Sequence, residues 1–256
     1  MSYSTFLIFL CFIFLPLFGI SQQNLFNIPS GDITPKKKFF YQHQINFYSL
    51  NEFESKSHVV YGLGRQWDAG INLVDIPIRL DHSKIISTND DSSRKPLYPL
   101  LMLSLQKQWI LKEEYLFLNV GTQIGPNVSF NVSKLQIAIM NYAIVRWRVI
   151  NKGNLVGGFY QTNDTFVGGS DENKFGYMLG YEYKINKDWL LMGDFISGMH
   201  KKSQTVLGGG YNVSGKFQVF LGSLITFPNG KLNGGMVVEI NWYGWDFRES
   251  PHGTEH

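Results

Sequence analysis

The sequence has almost no cysteine: of 256 residues one is Cys, at position 11. Cys11 lies in the apolar run Phe6 to Phe18 of the amino-terminal stretch "MSYSTFLIFLCFIFLPLFGIS". Beyond that stretch there is no thiol, which excludes a disulfide framework, a thiolate metal site and a cysteine nucleophile. Charge of one sign is also scarce. Lys and Arg number 23 against 20 Asp and Glu, and the resulting +3 is scattered, so the chain carries no footprint for nucleic acid. After the amino-terminal stretch no apolar run approaches the ~18 residues that a transmembrane helix needs. If this chain enters a membrane, it does so on strands.

The Phe6 to Phe18 run is itself too short to span a bilayer and is followed by the small residues Gly19 and Ser21. That is the pattern of a signal peptide over residues 1–21, with a short anchor as the alternative. No Lys or Arg precedes the run, so the free amino terminus must supply the positive charge. Leu10 stands before Cys11 where a lipoprotein signal has a small residue, and lipidation is not expected. About 235 residues remain, enough for one all-β domain. Aromatics at 15% and 26 glycines lean the same way.

Period-two alternation recurs from Phe39 onward in runs of about ten residues separated by turn residues. Twelve strands are predicted: 39–49, 57–66, 70–80, 97–110, 114–125, 134–149, 154–163, 174–185, 188–198, 204–213, 216–226 and 231–243. Polar connections such as "LNEFESK", "DHSKIISTNDDSSRK" and "DTFVGGSDEN" alternate with tight turns such as "KE", "NKG", "NKD" and "SGK". The eleventh connection, "PNG", is short where a long one is expected. Long loops at one end and short turns at the other predict an all-β transmembrane antiparallel β-barrel of about 12 strands in an up-and-down meander, located in the outer membrane. Residues 39–247 form this barrel, 22–38 a periplasmic leader or plug, and 248–256 a periplasmic tail.

The tryptophans provide a second line of argument. Trp67, Trp109, Trp147, Trp189, Trp242 and Trp245 all fall at the short-turn end. Indole settles where hydrocarbon meets headgroup, so a ring of tryptophan at one level predicts a membrane interface. Hairpin parity then assigns the faces. A three-residue "NKD" turn puts Glu182, Lys184, Met192 and Asp194 on one face, with Tyr177, Tyr181, Tyr183, Trp189 and Leu191 opposite. The "NKG" turn groups Arg146 and Arg148 with Gly158 and Tyr160. A charge facing hydrocarbon at mid-membrane costs ~2–4 kcal/mol. The polar rows must therefore face the lumen, which makes Gln42, Gln44, Arg146, Arg148, Glu182, Lys184, Asp194, Glu239 and Asn241 the candidate solute-binding residues.

The leader "QQNLFNIPSGDITPK" contains two prolines and a "PSGD" turn, which oppose regular structure. It is either a disordered lead-in or a plug folded into the lumen. Together with "KKFFYQHQINF" and "VVYGLGRQWDAGINL", it resembles the start of the uncharacterised outer-membrane barrels common in Bacteroidota. Those resemble in turn the transporter-like group named after the meta-pathway of phenol degradation. The resemblance implies a barrel that passes small, apolar molecules, and it maps no catalytic residue.

The pairs Ser57 with His58, His82 with Ser83, and His200 with Ser203 are the candidates for an outer-membrane lipid-modifying enzyme, but none sits in an "HxSNG" context. His43 alternates with Tyr41 and Ile45 on the predicted lipid face. It snorkels, packs against a neighbouring subunit or marks a bulge. His252 and His256, with Glu255, lie in a tail where Pro251 and Gly253 oppose the helix a metal site would need, so a flexible tail is expected. Gly208, Gly209 and Gly210 lack the spacing of a phosphate loop and are expected to allow strand curvature. The function expected is a passive channel or transporter for small molecules, with no enzyme activity, cofactor or metal. Its partners are outer-membrane lipid and lipopolysaccharide, an unknown solute, and an envelope protein if the barrel is instead a non-conducting docking module.

Overall fold

A computed structural model of the chain describes residues 25–81, 85–89, 91, 96–113, 115–128, 135–149, 152–168, 174–226 and 234–248. The expected signal peptide, the tail with His252 and His256, and the pair His82 and Ser83 lie outside these residues.

The alternating runs form twelve strands: β1 Phe39–Phe47, β2 Glu52–Gly64, β3 Trp67–Arg79, β4 Leu100–Lys112, β5 Leu116–Pro126 and β6 Ile137–Val149, followed by β7 Gly153–Thr162, β8 Phe175–Lys184, β9 Trp189–Ile196, β10 Gln204–Ser214, β11 Phe217–Ile225 and β12 Gly235–Tyr243. One short helix, α1 Asp164–Val167, follows β7. Every strand pairs antiparallel with its sequence neighbour, and β1 pairs with β12 to close the barrel. The closing register sets Gln42 beside Asn241 and Gln44 beside Glu239. These pairs turn their polar side chains inward, as the period-two geometry of a strand requires.

The two faces are inverted relative to a soluble sheet. Leu103, Val120, Val145, Leu179 and Leu221 are exposed on the outside, whereas Gln42, Asn119, Arg146, Glu182 and Glu239 are buried within. Exposed apolar side chains around a closed wall are stable against lipid and not against water. The chain is an outer-membrane β-barrel with the expected meander.

Three local features differ from the expected pattern. The first is that β2 begins at Glu52 and not at 57, because Glu54 and Lys56 sit on the inner face opposite Asn46 and Gln44, where polar side chains belong. The second is a bulge in β3. Ser55 pairs with Ile76 and Ser57 with Leu73, so Val74 and Asp75 together oppose Lys56, and Asp75 takes φ 59°. A bulge re-aims a side chain, and here it turns Asp75 into the barrel mouth. The third is Trp245. Beyond β12 the chain no longer alternates, and Trp245 packs edge-on to Tyr243 with 8% exposure. It is therefore not part of an outer aromatic ring. The other five tryptophans are between 37% and 54% exposed on the outer wall near the short turns.

His43 is on the outer face as parity demands. Its Nδ1 lies 2.9 Å from Ser57 Oγ on the adjacent strand, and its ring stacks on Tyr41. One ring nitrogen is thus satisfied within the wall.

Candidate functional site

The barrel interior is built around the leader. Residues 25–36 run up inside the wall from the short-turn end, where Lys36 bridges Gly62, to a tip at Leu25, whose N–H donates to Ile28 O at 2.9 Å. Leu25, Phe26, Ile28, Ser30, Asp32 and Thr34 are all at most 3% exposed. The described part of the leader is thus folded into the lumen.

Nothing in "NLFNIPSGDITPK" can pair as a regular strand, so its backbone groups are satisfied by inward side chains of the wall. Thr34 N donates to Asp68 Oδ2 at 3.1 Å. Gln106 Nε2 donates to Asp32 O at 3.1 Å and Gln108 Nε2 to Gly31 O at 2.6 Å. Higher up, the Asp194 carboxylate accepts from the N–H groups of Asn27 and Ile28. Arg146 forms an ion pair with Asp32, and its guanidinium carbon lies 4.2 Å from the centre of the Phe117 ring. Arg148 stacks on the same ring at 5.1 Å.

The apolar tip is received by strands stripped of side chains. A Cβ at Gly180 would lie 2.2 Å from Leu25 Cδ1, and Cβ atoms at Gly208 and Gly222 would lie 2.8 and 3.0 Å from Phe26 Cζ. Gly208 and Gly222 face each other across β10 and β11, and Phe220 meets Phe26 edge-on at 6.2 Å. Gly208, the first of the run expected to allow strand curvature, thus also forms part of the seat of an aromatic ring.

The predicted lumen residues divide between two levels. Arg146, Arg148, Glu182 and Lys184 form one electrostatically connected group toward the short-turn end. Asn241 Nδ2 donates to Glu239 Oε1 at 2.9 Å on the neighbouring wall. Gln42 and Gln44 sit beside Asn241 and Glu239 across the closing seam, and Asp194 lies higher, beside Asn27 and Ile28. Gln44 Nε2 and Lys56 Nζ both donate to Asn27 Oδ1, at 3.3 and 3.2 Å.

Above the plug, on the long-loop side, is a chamber of about 120 Å³. Its floor includes Phe26, Asn27 and Pro29. Its walls include Gln42, His58, Asn72, Met140, Tyr160 and Thr162. The roof is made by Phe166 of α1 and by His200 and Lys202 of the connection between β9 and β10. Asn163 caps α1 and anchors it to β6, accepting from Ile139 N at 3.1 Å and donating to Ile137 O at 2.7 Å. Thr165, Phe166 and Val167 are buried, so "TFV" is not the apolar outer loop that a docking module would offer.

Lys202 reaches the Asp75 carboxylate and lies 5.4 Å from the Phe166 ring centre. Burial alone lowers the pKa of this ammonium, but the carboxylates of Asp75 and Glu54 outweigh burial and hold it above its ordinary value. The clamp is therefore charged at neutral pH. It joins β3 to the opposite wall across the mouth, so an ion pair spans the chamber above its floor of leader residues. Parity could have put Tyr160 and Thr162 inside. No sequence signal could have joined Asp75 to Lys202.

The two enzyme candidate pairs among the described residues have other roles in the structure. Ser57 and His58 point to opposite faces, Ser57 toward His43 and His58 toward Asn72. His200 Nδ1 accepts Lys202 N–H at 3.1 Å, so Nε2 carries the proton toward the Tyr160 hydroxyl, 2.7 Å away. Ser203 Oγ lies 3.2 Å from the same Nδ1 and is wholly buried. Tyr160 in turn donates to Ser197 O at 2.5 Å. These bonds staple a loop to the wall. Among the described residues no cluster of three or more metal-ligating side chains occurs.

No protein-family model matches the chain, and no curated protein sequence does. Among solved structures, the KdgM porin in complex with disordered oligogalacturonate is similar with a TM-score of 0.52 and 6% identity, over 80% of this chain and 98% of that one. The Ralstonia pickettii toluene transporter TbuX gives 0.44 at 8% identity, over 90% of this chain and 98% of that one. The Salmonella typhi OmpF complex with daunomycin gives 0.39 at 5% identity, over 80% and 96%. The likeness to the porin is one of fold.

Proposed function

We propose that this barrel is a passive outer-membrane transporter for a small molecule, gated by residues 25–36. The observation that carries the proposal is the way the plug is held. Its attachments are side-chain hydrogen bonds, one buried ion pair, the packing of Leu25, Phe26 and Ile28 against the wall and a single backbone bridge at Lys36, whereas the wall is held by continuous ladders. A hydrogen bond of this kind contributes about 1 kcal/mol and the buried pair more, but the ladders of the wall close without passing through the segment, so it can leave or tilt without unfolding the barrel. The solute enters from the long-loop side, occupies the chamber and passes when the plug yields. The outer wall contacts membrane lipid, including lipopolysaccharide. The likeness of the leader and first three strands to the Bacteroidota barrels and the phenol-pathway group supports a small, apolar cargo.

Planar-bilayer recording tests this reading. The full-length barrel is expected to be closed for most of the recording, and a variant lacking residues 25–36 to conduct in steady steps. A correctly folded deletion variant that passes no current would leave a non-conducting barrel that docks on an envelope protein.

A further inference from the structure

We infer that the chamber above the plug binds a neutral, ring-sized molecule carrying one or two hydroxyl or carbonyl groups. This rests on the transport reading for its biological sense but not for its evidence. The first observation is size. At about 120 Å³ the chamber is close to the ~150 Å³ cavity that accepts a benzene ring. The second is charge. The charged side chains that line it are Lys56, Lys202 and Asp75, and all are engaged within the protein: Lys56 with Glu54 at 3.4 Å and with Asn27, Lys202 and Asp75 with each other. An ionic solute would enter a low-dielectric space where the complementary charges are already spent, and desolvating it would go uncompensated.

The third observation is polar. Thr162 is 6% exposed and lines the chamber, and its hydroxyl is buried with no hydrogen-bond partner among the described residues. Buried hydroxyls are ordinarily satisfied. A pure hydrocarbon in the chamber would leave Thr162 in the same state and gain nothing from it. A hydroxyl or carbonyl on the solute would satisfy it, while Phe26, Met140, Phe166 and Ile196 cover the ring. The chemistry therefore discriminates against ions on one side and bare hydrocarbon on the other, through different residues.

Four probes built on one benzyl or benzoyl ring separate these possibilities: benzyl alcohol, toluene, benzoate and benzylammonium. They are titrated calorimetrically into full-length barrel in detergent, and the heat from a Met140→Trp variant, whose indole fills the chamber, is subtracted to remove micelle partitioning. Benzyl alcohol is expected to bind saturably and at least tenfold more tightly than the other three. Thr162→Val keeps the shape and removes the hydroxyl, and should weaken benzyl alcohol about five- to tenfold, the loss of one buried hydrogen bond, with the thermal unfolding transition unchanged. Toluene or either ion binding as tightly as benzyl alcohol, no binding of any probe, or an unaltered affinity in Thr162→Val would each overturn the inference. Conductance of the plug-deleted barrel is a separate readout. If it fails while benzyl alcohol binding holds, the ligand class stands and the transport reading falls.

Discussion

Arg146 and Asp32 are 114 residues apart in sequence and form an ion pair inside the barrel, each side chain only 3% exposed. One belongs to the wall and the other to the segment that fills it. Removing one member of a buried pair strands the other and costs roughly 3–5 kcal/mol, whereas replacing both with apolar groups is often neutral. Asp32→Ala should therefore loosen the plug and raise the open fraction in bilayer recordings. Combining it with Arg146→Met should return the barrel toward the closed state. A double variant as leaky as the single would mean that the pair does not hold the segment.

The seat of Phe26 makes a second, sterically opposite prediction. Gly222→Leu fills the space the ring occupies and should displace the tip of the plug, increasing the reaction of a cysteine at Ser30 with a small maleimide. Phe26→Ala in the same background removes the clash and should restore protection. If Ser30→Cys is equally protected with and without Gly222→Leu, the ring does not rest where the wall predicts.

At the mouth, the Asp75–Lys202 clamp can be locked covalently. Cysteines at both positions, joined by a short disulfide-containing bis-maleimide that replaces the reach of the lysine stem, should block entry of solute into the chamber, and a reductant should restore it. Because the Lys202 pKa is raised in the folded barrel, the clamp contributes fully below the ordinary lysine value and is lost only as pH rises through the elevated one. Chamber access should therefore stay constant from neutral pH to about 10 and increase only beyond it. An opening midpoint near neutrality would show that another group controls the roof.

Trp147→Ala and Trp109→Ala remove side chains that are about half exposed on the outer wall. We propose that these indoles lie at the headgroup level with Trp67, Trp189 and Trp242. Each loss should lower folding stability in lipid vesicles by roughly 1–2 kcal/mol, about half the transfer of a large side chain, with conductance of the plug-deleted barrel unchanged. Headgroup-level quenchers should act on these five and spare Trp245. Uniform quenching of all six would contradict the internal position of Trp245.

Leu50, 91% exposed in the connection between β1 and β2, and Lys152, in the turn between β6 and β7, lie at opposite ends of the barrel. An impermeant maleimide on intact cells should label a cysteine at Leu50 and not one at Lys152. The reverse pattern would invert the orientation.

Much of the wall was legible because alternation is local. Once "NKD" is taken as a three-residue turn, Gly180 must pair with Asp194, and it does. Inward charges at Arg146, Glu182 and Asp194 follow from the same parity. What could not be read were contacts made by residues that obey no period. The leader has no alternation to betray its position, since its N–H groups are met by Asp68 and Asp194 on distant strands. Asp75 has the wrong parity for the lumen and arrives there only through a bulge. Trp245 follows the last strand and escapes its register. Thr162 was available to parity, yet the mark that sets it apart, a hydroxyl without a partner, exists only once the surrounding wall is assembled.

The seam between β1 and β12 closes the wall, and β1 is also the strand from which residues 25–36 turn inward. The segment inside precedes the whole wall in sequence, and the ladder that shuts it in joins the first strand to the last. Gln106 and Gln108, which hold the carbonyls of Asp32 and Gly31, belong to β4 and can engage while the sheet is still open. A sheet that closed with the segment in place would curl around it strand by strand, whereas a barrel that closed without it would have to admit it afterwards through its own end.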